Sequence, residues 1–391
     1  MEHYKVAIVG GGPAGMATAL FLVHEQPALR EQLVVLEKEH YPRQKICAGA
    51  IGARADKLLA SIGVVVDVPS APMRELSVRT QAGESSARIA HLGRVIRRVE
   101  FDHALACEAR ARGIRVLEGA EVHGVAPGSA RVELQTSLGP LSADVVVGAD
   151  GVGGFVRRSL GLGPGRLRAQ VIEVDTEPVP SDRAHDALHF DFFSRDFTGY
   201  AWDFPTIVDG QPLVCRGVYH LKLTQQKFDI AQLLADRLRT RGLDPARYRV
   251  KRYAERGFES SQLFAAPRVL LVGEAAGIDA LTGEGIPQAI EYGALAGRYL
   301  VAKLAKNDLT FRDWNAQLAR AEPGRTLRWR EKQMHDFFGP RRAFYERHII
   351  HLPAFALVSA EQLAGLPLSQ GLFWRDLAAH AWKSLTRRSR A

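Results

Sequence analysis

Cysteine is scarce in this chain. Three residues of 391 (Cys47, Cys107 and Cys215) stand far apart, so they offer neither a disulfide framework nor a metal-ligand cluster, and a reducing, cytoplasmic setting is expected. Long apolar runs are missing as well. None reaches the roughly 18 residues of a membrane-crossing helix. The opening Met1-Glu2-His3-Tyr4 runs straight into an apolar strand, so no secretory or transit peptide is expected. No nucleic-acid reader motif and no internal repeat is visible, nor a Ser/His/Asp constellation of the kind nucleophilic catalysis uses. Acidic residues fall short of basic ones, 43 against 52, for a net charge of +9. From Ala321 to Ala391 there are 12 Lys/Arg against 6 Asp/Glu, so most of the excess lies in the last fifth. A solvated helical face with a basic tail (Arg387, Arg388, Arg390) accounts for this. The sharper reading is contact with an acidic protein partner or an anionic membrane surface. The remaining composition, 46% hydrophobic and 24% charged, is that of a globular protein long enough for two or three lobes.

What is present concentrates in the first few dozen residues. Val6-Ala7-Ile8-Val9 reads as a short buried parallel strand that runs into Gly10-Gly11-Gly12-Pro13-Ala14-Gly15 and then a helix of small and apolar residues. In this G-x-G-x-x-G pattern Gly10 permits a tight turn, Gly12 lets the backbone approach a pyrophosphate, and Gly15 lets helix and strand pack closely. The helix N-terminus adds free N–H groups and a partial positive charge. A second strand, Leu33 to Leu36, ends in Glu37, about 20 residues beyond the last glycine, where a carboxylate accepts hydrogen bonds from ribose hydroxyls. A dinucleotide site is the expectation, and it argues against nucleic acid as the ligand.

Two later stretches return to the same sheet edge. Val145 to Val147 lead into Gly148-Ala149-Asp150-Gly151, and Val269 to Val272 deliver Gly273-Glu274-Ala275-Ala276-Gly277. A glycine-rich loop (Thr282 to Ile286) then opens a helix over 288–303, whose small residues suit close packing on the sheet and whose N-terminus points a positive dipole end at a ligand. Between these lie helices over 54–63 and from Arg98, the latter with Asp102 as its cap, and strand-rich segments over 73–95 and 166–221. Aromatic residues gather in the second of these segments (Phe190, Phe192, Tyr200, Trp202, Phe204, Tyr219), as the wall of an apolar pocket would require. A helix over 228–239 follows. After Glu37, Tyr41 to Ile51 combine proline, basic and small residues. Cys47 there reads either as a buried apolar cysteine or as a thiol beside a bound group. From Thr310 onward the chain is helical with proline breaks.

Four features in order, Gly10–Gly15 with Glu37, Arg98-x-x-Phe101-Asp102, Gly148-Ala149-Asp150-Gly151 and Gly273-Glu274-Ala275-Ala276-Gly277, resemble FAD proteins of the p-hydroxybenzoate hydroxylase type. Pro42-Arg43-x-Lys45-x-Cys47 and Tyr200-x-Trp202-x-Phe204-Pro205 look like the geranylgeranyl reductase branch, which is similar to flavin halogenases and to flavoproteins that mature a protein-derived quinone. The resemblance spans about residues 4 to 305 and implies an α/β fold: a Rossmann-type FAD-binding domain (1–72, 96–165, 250–320), an inserted antiparallel β-sheet substrate lobe (73–95, 166–249) and a C-terminal helical region (321–391). It implies FAD as cofactor, with NADPH or NADH as a transient electron donor. Gly10, Gly12, Pro13, Ala14 and Gly15 would hold the pyrophosphate, and Glu37 and Lys38 the adenosine ribose. Arg98, Val122, Asp150 and Gly151 would complete the adenosine and phosphate contacts. Gly273 and Glu274 would meet the ribityl region, and Gly283, Gly285 and Ile286 the isoalloxazine, with Cys47, Ala48 and Gly49 beside the ring. Cys47, Tyr200 and Trp202 are the candidate catalytic residues. Glutamate stands at 274 where the family has aspartate, Ala280 replaces a proline in a loop one residue short, and the halogenase signature W-x-W-x-I-P is absent.

Two reactions follow. In the favoured one a flavin hydroperoxide hydroxylates an electron-rich aromatic substrate or side chain. In the other, reduced flavin gives a hydride to an isoprenoid double bond, with a nearby acid supplying the proton. A third reading is a partner-dependent flavoprotein that matures an acidic protein docked on the basic C-terminal region.

Overall fold

The computed structural model describes residues 1–388. Arg390 of the expected basic tail lies outside them, as do the side chains of Arg387 and Arg388. Strands buried on both faces need continuous apolar runs, and the first sheet is built from such runs. Its strand order is Ala265–Ala266, Val269–Leu271, Gly139–Gly148, Glu2–Val9, Leu33–Leu36, Arg115–Leu117. Glu2–Val9 pairs in parallel with Leu33–Leu36 on one side and Gly139–Gly148 on the other. Consecutive segments thus leave the first strand in opposite directions, and a crevice opens beyond its C-terminal end. An antiparallel meander, Val122–Pro127 and Val132–Thr136, hangs from Gly139–Gly148.

The second sheet runs Lys251–Arg256, Arg168–Thr176, Gln211–Leu221, Gly199–Val208, Ala187–Phe192, Ser70–Thr80, Gly83–Ile96, Ala50–Gly52. Every neighbouring pair is antiparallel except Ala187–Phe192 with Ser70–Thr80, which is parallel. Two of its strands come from stretches expected in the cofactor-binding unit. Ala50–Gly52, at the end of the stretch of proline, basic and small residues, pairs with Gly83–Ile96. Lys251–Arg256 pairs with Arg168–Thr176.

Two helix readings change in the structure. Asp102 is no cap. It lies inside the helix Arg98–Ala111, one turn beyond Arg98, where its two oxygens accept from that guanidinium at 2.6 and 2.7 Å. The small residues of Ile286–Ala305 serve a helix–helix contact: a methyl group at Gly293 would lie 2.5 Å from Ala17 Cβ, and one at Gly297 2.8 Å from the Leu22 nitrogen. The helix Pro13–Glu25 is thereby clamped between sheet and helix, which fixes its N-terminus in the crevice.

The C-terminal helices Glu322–Phe337 and Pro353–Ala364 cover the apolar face of the second sheet. Met334, Phe337, Ala360 and Ala364 share a core with Met73, Leu76 and Leu92. Contact is close at one point: a methyl on Gly52 would sit 2.2 Å from the Leu363 carbonyl oxygen. Among the described residues no helix is long and apolar enough to cross a membrane.

Candidate functional site

Four glycines show how tightly the crevice segments converge. Gly10 has φ +106°, and a methyl there would meet the Ala149 carbonyl oxygen at 2.4 Å, so the first and third segments touch backbone to backbone. A methyl on Gly15 would lie 1.9 Å from the Gly10 carbonyl oxygen. Gly273 packs on Ala14, 2.6 Å from the position of its missing Cβ. Gly151 faces Glu274, whose Oε2 is 3.7 Å from such a Cβ. Gly12 differs from these. Its missing side chain points toward Arg98 Nη2 (3.7 Å) and Arg43 Nη2 (3.8 Å), with backbone nowhere near. Two guanidinium groups therefore flank the N-terminus of Pro13–Glu25, which has no side-chain cap. That is the donor set a pyrophosphate requires.

Beside it, Glu37 is buried, accepts from the backbone N–H of Gly11 (3.0 Å) and Glu39 (3.1 Å), and pairs with Arg43 at 3.2 Å. Arg43 also reaches Asp102 at 3.0 Å, so Arg43, Arg98, Asp102 and Glu37 form one buried network. Asp150 accepts from the Val156 N–H at 2.9 Å through Oδ2, while its buried Oδ1 has no partner. Burial raises the Asp150 and Glu274 carboxyls; for Glu274, Lys45 and Arg98 pull the other way. These residues fit an FAD pyrophosphate and adenosine ribose.

Between the two sheets and the C-terminal helices lies an apolar pocket. Cys47, Ala48, Gly49, Tyr200, Trp202, Gly283, Gly285 and Ile286 all line it, which brings the second group of expected residues to one place. Tyr200 and Tyr219 stack at 5.0 Å with 14° between the rings. Their hydroxyls donate to the carbonyls of Thr282 and Ala280 respectively, the latter at 2.9 Å. The loop is further held by Thr282 donating to Asp279 at 2.5 Å and by Arg54, which donates to Glu284 at 2.9 Å and to Glu291 at 2.8 Å. The Trp202 ring fills the space that a side chain at 217 would need, with Cζ2 2.1 Å from the missing Cβ of Gly217. Burial raises the Cys47 thiol, keeping it protonated.

Some residues fall elsewhere. Lys38 is exposed and pairs with Glu39 at 3.8 Å, away from the crevice network. Val122 is buried in the core of the first sheet. Tyr200 has its hydroxyl hydrogen committed to a backbone carbonyl, so it positions the loop. Others were missed. Arg43 anchors the phosphate side, and Glu255 stands on the pocket wall with its Oε2 buried and unpartnered. Pairing of Lys251–Arg256 to Arg168–Thr176 turns Glu255 inward. No sequence signal marks it. Among the described residues no cluster of His, Cys, Asp and Glu can hold a metal.

The FAD binding domain family profile matches residues 3–306. The digeranylgeranylglycerophospholipid reductase of Methanothrix thermoacetophila is 27% identical over 318 residues, 78% of this chain and 79% of that one. A geranylgeranyl bacteriochlorophyll reductase-like structure from Thermoplasma acidophilum superposes with a TM-score of 0.68 at 20% identity, covering 97% and 96% of the two chains. The p-nitrophenol 4-monooxygenase of Pseudomonas putida gives 0.67 at 19% identity over 96% and 99%. At these identities the two structures establish the fold alone. With most of its length inside the family profile, the chain belongs to the FAD-binding domain family and is an FAD-dependent oxidoreductase.

Proposed function

We propose that this protein reduces a carbon–carbon double bond in an apolar, isoprenoid-like substrate, with NADPH or NADH as the source of electrons. One observation carries the reading: the pocket wall is apolar and aromatic, and Glu255 presents to it a buried carboxyl oxygen without a hydrogen-bond partner. Burial raises the Cys47 thiol and the Tyr200 and Tyr219 hydroxyls, and drives the Glu255 carboxyl well above the usual carboxylate range. The remaining charged residues on the wall are engaged: Glu284 with Arg54, Arg330 with Asp279 at 3.7 Å. A hydroxylase acting on a phenol gains from a base or cation that stabilises the phenolate, and this wall offers neither free. Saturating an alkene needs the opposite, a dry cavity and an acid.

In this reading Gly12, Arg43 and Arg98 bind the FAD pyrophosphate and Glu37 its ribose. The loop at Thr282 to Ile286, which lines the pocket, would hold the flavin ring, and the cofactor when bound and reduced would supply a hydride. Cys47 borders the reacting face as a neutral thiol. The aromatic wall and the C-terminal helices exclude water and hold the hydrocarbon. The reductase relative points the same way.

The test is anaerobic. Reduced protein is mixed with geranylgeranyl diphosphate, expecting oxidised-flavin absorbance to return and the product to gain two hydrogens by mass. Hydroxylation is favoured by a different feature, the rings of Phe190 and Phe204 set edge to face at 5.1 Å, which can stack an aromatic guest. Reoxidation by oxygen alone, with oxygen incorporated into an aromatic substrate, would establish that reaction and defeat the reductase reading.

A further inference from the structure

The reductase reading leaves open which group donates the proton, and the inference here rests on that reading. Adding a hydride to an unactivated alkene leaves positive charge on the other carbon unless a proton reaches it from a positioned acid. Tyr200 and Tyr219 are poor candidates, since their hydroxyl hydrogens are held by the Thr282 and Ala280 carbonyls. Glu255 is placed differently. Its strand pairs Glu255 with Ala169, and alternation sends Tyr253 and Glu255 to the pocket. Arg256, the next residue, instead donates to the carbonyls of Pro164 and Val152.

The Glu255 Oε2 atom is buried without a hydrogen-bond partner, 2.8 Å from where a Cβ on Gly283 would be; Tyr200 Oη is 3.4 Å from the same point. The carboxyl therefore sits over the loop that leads into Ile286–Ala305, at the junction of cofactor side and pocket. An ionised oxygen in that position would lose its hydration with nothing in exchange. The charged groups acting on it are Glu274, Asp279 and Glu173, all acidic, against Lys45. The groups packed beside it, Tyr200, Tyr219, Tyr253 and Cys47, are neutral.

We propose that Glu255 is a neutral carboxylic acid that donates the proton to the substrate double bond. Its O–H bond breaks and a C–H bond forms at one alkene carbon, while the hydride from two-electron-reduced FAD forms a C–H bond at the other. The π bond is consumed, and the carboxylate left behind regains a proton from solvent.

The test uses FAD-loaded protein and Glu255→Gln, with Glu255→Asp as the acid-retaining control. Infrared difference spectra at neutral pH read the proton directly: a carboxylic C=O band is expected in the parent protein and lost in Glu255→Gln. The variants are compared at equal flavin content. Reoxidation by geranylgeranyl diphosphate should slow by about 100-fold or more, with partial recovery in Glu255→Asp. If no such band is lost, or if Glu255→Gln reduces the alkene at the parent rate, the proposal is overturned. If the band is present but the parent protein reduces no alkene, proton donation falls because the reductase reading itself has failed.

Discussion

The two halves of the site are built from different materials. On the nucleotide side, backbone does the positioning: Gly10 against Ala149, Gly15 against Gly10, and the N–H of Gly11 on Glu37. On the pocket side, side chains from strands distant in sequence meet: Tyr200 on Tyr219, Trp202 over Gly217, Glu255 beside Gly283. Backbone geometry tolerates few residue types at each position, whereas a side-chain wall can be rebuilt with many. The first half thus states what is bound, and the second what is done with it.

That contrast can be broken most severely at Gly12. Gly12→Glu places a carboxylate between Arg43 and Arg98, where it competes with the pyrophosphate for both guanidinium groups. Purified protein should lose essentially all its visible flavin absorbance while keeping its circular dichroism. A yellow Gly12→Glu protein would mean that the nucleotide side is organised elsewhere.

A smaller effect is expected in the pocket half. Burial, opposed by Lys251, lifts the Glu173 carboxyl to about 7 in the fold. An unfolded glutamate titrates near 4.3. Between these values the folded state holds a proton that the unfolded state has released, so stability falls as pH rises through this window and levels off above it. The loss is on the order of 3 kcal/mol. Glu173→Gln removes the titration, so urea midpoints measured from pH 4.5 to 7.5 should flatten; an unchanged slope would place the proton on another group.

Gly217→Ala sharpens the comparison most gently. Its methyl would overlap the Trp202 ring, a buried overpacking that costs about 1–3 kcal/mol. A lower melting temperature with full flavin content is expected. Loss of flavin instead would show the two halves to be coupled through the sheet.

The difference in materials also explains what could be read before any coordinates. The glycine pattern, Glu37 and the returns at Asp150 and Glu274 carry signatures because a tight backbone approach admits little else. Cys47, Tyr200 and Trp202 were legible as pocket residues from local motifs. Glu255 was not, because its inward direction depends on pairing with a strand some 80 residues earlier. Arg43 stands in a recognised motif without a role assigned to it, and its place depends on Asp102, which lies on a different element. Ala50–Gly52 carries no strand pattern of its own, and its pairing with Gly83–Ile96 makes it a strand.

The pocket's roof comes from beyond the family's shared span. Phe337, Tyr345, Ile350, Phe355 and Leu363 face the cavity, yet all follow residue 306, where the match to the FAD-binding family ends. Part of the pocket's shape is thus written in a stretch of chain separate from the one that grips the cofactor. Selection can redraw the roof, and with it the choice of guest, while the inherited redox apparatus stays as it is.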